Sequence, residues 1–105
     1  MRDQVINKEI ILNTLHRQRK ELEKYGVQRI GLFGSFVRGD DTQESDIDLL
    51  VDFNKQQKNL RNLVYLGDFL EGLFDRKVDL VTPQGLSKYI GPHILKEVQY
   101  AAFHA

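Results

Sequence analysis

The stretch GSFVRGDDTQESDIDLLV, residues 34–51, decides how the rest of the chain is read. Its C-terminal part, continued to DIDLLVDF at residue 53, alternates: Ile47, Leu49, Val51 and Phe53 point one way, Asp46, Asp48 and Asp52 the other. Aspartate is depleted in strands, and two carboxylates two positions apart repel unless something positive lies between them. Same-face neighbours on a strand stand about 6–7 Å apart at the backbone, near enough to converge on one divalent ion or to flank two. An isolated Asp-x-Asp is also an ordinary decoration of a solvated strand face, so the flanking residues must decide.

Towards the N-terminus, VQRIGLF (27–33) reads as a strand ending at Gly34-Ser35, followed by a short helical turn, FVRG, and a polar loop, DDTQES. Gly34 leaves the backbone open to a phosphate, and Ser35 offers a hydroxyl beside amides that favour anions. The turn is not a P-loop, because no Gly-Lys-Ser/Thr follows. Residues 7–25 form a predicted helix, with Ile11, Leu15, Leu22 and Tyr25 at helical spacing, Asn7 as N-cap and Gly26 as the stop.

Towards the C-terminus, the polar run NKQQKN leads to a predicted helix over 60–74, with Leu60, Leu63, Val64, Gly67, Leu70 and Phe74 as its apolar stripe. KVDLVT (77–82) is a third strand closed by Pro83. If Val78 and Leu80 enter the core, Asp79 emerges on the face of Asp46 and Asp48. HILKEVQYAAF (93–103) is the expected last helix, with Pro92 in its first turn. This order predicts an α/β (α+β) fold, a small mixed β-sheet flanked by helices, as one domain over residues 1–105. Leu50, on the aspartate face, implies that this face is not wholly solvated.

Three carboxylates without His or Cys are hard oxygen donors and favour Mg²⁺ or Mn²⁺ over Zn²⁺. The chain has no cysteine, which excludes disulfides and thiolate sites. Fifteen Lys and Arg balance fifteen Asp and Glu, so no broad nucleic-acid surface is expected. No signal-like or membrane-length apolar run occurs, and a cytoplasmic location is the default expectation. Arg38 is placed either to reach a phosphate or to pair with Asp40, Asp41 or Asp46. Asp52 reads as solvated. His16, His93 and His104 share no motif, and Arg76 and Lys77 read as a solvated strand end before Asp79.

Taken together, Gly34-Ser35, ten residues, Asp46-x-Asp48, then the strand aspartate Asp79 form a specific constellation. It resembles the signature of the DNA polymerase β nucleotidyltransferase superfamily, and most closely its minimal nucleotidyltransferase (MNT) group. The likeness runs from the helix before the Gly-Ser strand to IGPHILKEVQYA. The resemblance implies the nucleotidyltransferase fold and transfer of a nucleoside monophosphate from a triphosphate to a hydroxyl. It implies that Gly34 and Ser35 bind the β- and γ-phosphates, with Arg38 a further nucleotide-binding candidate. Asp46, Asp48 and Asp79 would be catalytic and would hold two Mg²⁺ ions, Asp79 on the acceptor side. MNT proteins are commonly paired with HEPN-domain RNase toxins, which implies an antitoxin that uses ATP to adenylylate a tyrosine of its partner. Two alternatives stay open: an antitoxin acting by occlusion alone, and a small antibiotic nucleotidyltransferase.

Overall fold

The computed structural model describes residues 6–56 and 59–103. Helix α1 (Lys8–Arg17) begins where Asn7, in extended conformation, accepts a hydrogen bond from the Ile10 amide at 2.9 Å, which satisfies one of the orphan donors of the first turn. The single helix expected over 7–25 is divided. Gln18, with ψ near 12°, ends α1, and α2 (Arg19–Lys24) starts a new turn from the Gln18 carbonyl. The Arg19 guanidinium donates to the His16 carbonyl at the break, at 2.9 Å. Ile11, Leu15 and Leu22 still share one buried face.

Gly26, with φ of 89°, turns the chain into strand β1 (Val27–Phe33). Helix α3 (Ser35–Arg38) and the polar loop after it lead to β2 (Ile47–Phe53). The strand thus opens one residue later than DIDLLVDF suggested, leaving Asp46 at its mouth. Helix α4 (Leu60–Phe74) has the expected bounds, capped by Asn59, and is followed by β3 (Val78–Val81) and a 3-10 turn at Pro83–Gly85.

Helix α5 (Gly91–Glu97) has Pro92 in its first turn, as expected, but it stops at Glu97. Val98 is extended, and Gln99–Tyr100 form a short strand, β4, in place of the helix expected to run to residue 103. The physical reason lies in β1. Gly31 has no side chain, and a Cβ there would collide with Val98 and the Tyr100 ring, so the glycine leaves room for this segment to lie against the sheet edge.

The sheet order is β3-β2-β1-β4. β2 runs parallel to β3 and antiparallel to β1, and β4 pairs antiparallel with β1 through Gly31↔Tyr100 and Leu32↔Gln99. Ile30, Leu32, Ile47, Leu49 and Val51 pack with Ile11, Leu15, Leu22, Leu66 and Leu70 in one core. The α4 stripe is rotated from the expected one: Leu66 and Leu70 are fully buried, whereas Leu60 and Val64 are 75% and 52% exposed. Leu50 is buried outside that core, on the aspartate side. Among the described residues, no helix is long and apolar enough to cross a membrane.

Candidate active site

Register brings the signature together. Phe33 is opposite Asp48 in the β1–β2 pair, and Asp48 is level with Asp79 in the β2–β3 pair. The Gly34 turn, Asp48 and Asp79 therefore lie side by side across three neighbouring strands. Gly34 has φ of 81°, a conformation that side chains avoid, and a Cβ on it would overlap the Asp48 carboxylate. The glycine lets Asp48 stand directly against the turn.

Asp48 is half-buried and Asp79, on the edge strand, is exposed. Burial, then the charges of Asp79 and Asp46, push the Asp48 carboxyl up to about 6. Asp46 is the only one of the three with a nearby cation among the described ion pairs, the Lys77 ammonium at 3.9 Å. Lys77 and, at Asp48, the Arg38 charge offset only part of this negative charge, and hard oxygen donors that stay negative suit a divalent cation such as Mg²⁺. Among the described residues, no three His, Cys, Asp or Glu side chains close round a single point. An open donor set fits Mg²⁺, which uses one or two protein carboxylates and completes its shell with water and phosphate oxygens.

A fourth acid, which the sequence did not single out, joins the site. Glu97, at the end of α5, accepts from the Gly34 amide at 2.8 Å through one oxygen and from Arg38 at 3.0 Å through the other. It too raises the Asp48 pKa. Arg38 also reaches Asp40 at 3.4 Å, so of the expected carboxylate partners the structure selects Asp40 and adds Glu97. Both carboxylates raise the guanidinium pKa, the Glu97 hydrogen bond most.

The remaining candidates lie elsewhere. Asp52, expected to be solvated, is half-buried and paired, with Arg29 opposite it at 3.0 Å, and Arg29 stacks on Tyr100. Arg76, expected at a solvated strand end, is buried. It donates to the Ser45 and Thr42 carbonyls at 3.1 and 3.4 Å and lies over the Phe36 ring, so it ties the loop before Asp46 to α3. His16 Nδ1 is hydrogen-bonded to the Ala102 carbonyl, His93 is exposed on α5, and His104 lies outside the described residues.

A glycine-hinged turn set against strand carboxylates, on a small mixed sheet, defines a nucleotidyltransferase fold. Residues 12–101 match the nucleotidyltransferase domain family. The chain is 42% identical over 93 residues to the protein adenylyltransferase MntA of Thermococcus cleftensis, covering 88% of this chain and 93% of that protein. A solved structure assigned as a minimal nucleotidyltransferase superposes with a TM-score of 0.69 at 34% identity, over 84% of this chain and 93% of the other. A chain of a solved MntA toxin–antitoxin complex gives a TM-score of 0.66 at 26% identity, over 95% and 75%. The protein belongs to the nucleotidyltransferase domain family, within its minimal nucleotidyltransferase branch.

Proposed function

We propose that this chain is a protein adenylyltransferase, the antitoxin of a toxin–antitoxin pair, transferring AMP from ATP to a tyrosine of a HEPN-type toxin. The observation that carries this reading is the alignment of the Gly34 turn, Asp48 and Asp79 across three neighbouring strands, in a chain 42% identical to a protein adenylyltransferase. Gly34 and Ser35 receive the β- and γ-phosphates, and Arg38 reaches them from the end of α3. Mg²⁺ held by Asp46 and Asp48, with a second ion completed by Asp79, would neutralise the phosphates and stabilise both the attacking and the leaving oxygen. Asp79, exposed on the edge strand, faces the acceptor. The tyrosine oxygen forms a bond to the α-phosphorus, the bond from that phosphorus to the bridging oxygen breaks, and pyrophosphate leaves. The hydroxyl proton passes by way of the Asp79 carboxylate to water. Positioning and charge neutralisation supply most of the catalysis in such transfers.

Intact-mass measurement of the toxin, incubated with ATP, Mg²⁺ and this protein, is expected to show whole adenylyl additions that vanish with Asp48→Asn. A toxin that stays unmodified yet loses RNase activity equally with the wild type and Asp48→Asn would overturn the transferase reading in favour of occlusion.

A further inference from the structure

We propose that Glu97 is an internal occupant of the phosphate turn, and that a nucleotide binds by displacing it. The inference rests on the assignment of the phosphates to Gly34, Ser35 and Arg38 made above. Each Glu97 carboxylate oxygen takes one donor of that set: Oε2 accepts from the Gly34 amide at 2.8 Å and Oε1 from the Arg38 guanidinium at 3.0 Å. A side-chain carboxylate spanning a backbone amide and a guanidinium reproduces the two contacts a phosphate oxygen pair makes there.

The occupant cannot stay when a triphosphate arrives. The Gly34 amide is fixed by the end of β1 and the start of α3 and points in one direction, so it serves one strong acceptor at a time. Glu97 also lies close enough to Asp48 to disfavour its ionisation, and a triphosphate beside it adds further like charge. Nothing rigid prevents its leaving. Glu97 is the last residue of α5, Val98 is already extended, and β4 beyond it is two residues long.

A site whose donors are satisfied internally binds with an affinity reduced by the fraction of molecules in which they are free. Glu97 thereby sets nucleotide affinity, and removing its charge makes binding tighter. This distinguishes it from a residue that builds the turn, whose loss would weaken binding.

The experiment is calorimetric titration of a non-hydrolysable ATP analogue, with Mg²⁺, into the wild type and Glu97→Gln. Inorganic tripolyphosphate and adenosine serve as separate probes, and thermal melts confirm folding. Glu97→Gln keeps the shape, loses the charge and presents an amide that repels one of the two donors. It is expected to bind the analogue and tripolyphosphate tighter by the same factor, about 3- to 30-fold, with no change for adenosine. Glu97→Asp, one methylene shorter, is expected to gain less in the same direction and stands in should the Gln variant not fold. Equal or weaker binding of analogue and tripolyphosphate by the folded variants would overturn the inference while leaving the phosphate assignment in place. Failure of wild type and variants alike to bind either probe would overturn the phosphate assignment, and this inference with it.

Discussion

Asp48 is held at the site at the expense of the fold. The Gly34 turn beneath it shields its carboxylate, and Asp79 and Asp46 add like charge, so its pKa rises from 3.8 to about 6. An acid whose folded-state pKa exceeds its unfolded value favours folding when protonated. The stability is present below 3.8 and is lost as pH climbs through about 6. Asp48→Asn, which removes the charge and keeps the shape, is therefore expected to stabilise the metal-free protein at pH 7.5 even as it abolishes transfer. Discounted for the exposed half of the side chain, the gain is about 1 kcal/mol, or a Tm higher by roughly 4–8 °C. Melts in EDTA at pH 7.5 and pH 3.5 check this: the gain should disappear at the lower pH, and a variant melting below wild type at pH 7.5 would contradict it. Most of this site was legible because Gly34, Ser35, Asp46 and Asp48 lie within fifteen residues, and strand alternation placed Asp79. Glu97 was not. It stands 63 residues from the amide it meets, and nothing local reveals that its helix ends there and the chain folds back.

Helix α4 shows why bounds are easier to read than phase. Its ends are marked by Asn59, whose side chain accepts from the Asn62 amide, and by Asp75 in the left-handed region. Its apolar residues occupy more than one face: Leu60, Val64 and Tyr65 are exposed, Leu66 and Leu70 buried, and Phe69, Leu73 and Phe74 partly covered. With apolar side chains on most of the circumference, spacing alone admits several stripes, and packing against β3 and the core selects one. Leu66→Ala is expected to cost about 2–5 kcal/mol, against less than about 0.5 kcal/mol for Leu60→Ala. Urea unfolding of the two variants measures the difference, and similar losses would put the helix in the other phase. The same competition decided the C-terminal segment. Val98 and Tyr100 suit a strand as well as a helix, and the vacancy that selects the strand belongs to Gly31, far away in sequence.

Across the whole molecule the sheet joins segments of very different separation. β1 and β2 are antiparallel neighbours linked by α3 and one loop, whereas β4 reaches β1 only after β2, α4, β3 and α5 have been passed. Among the described residues, the bonds that hold this return are few: the two β1–β4 residue pairs, Arg29 stacked on Tyr100, the Ala101 amide donating to the Ile30 carbonyl at 3.0 Å, and His16 bonded to Ala102, 86 residues away. Closing so long a loop for so few bonds places β4 late in folding and early in unfolding. Native-state hydrogen exchange is expected to find the Ala101 amide opening in a sub-global step, at lower free energy and with a shallower urea slope than amides of the β1–β2 ladder. Identical free energies and slopes would mean that the strand unfolds only with the whole. Glu97 ends α5 two residues before β4, so the acid lodged in the turn adjoins the strand expected to open first, and each opening of that strand would give the turn a chance to empty.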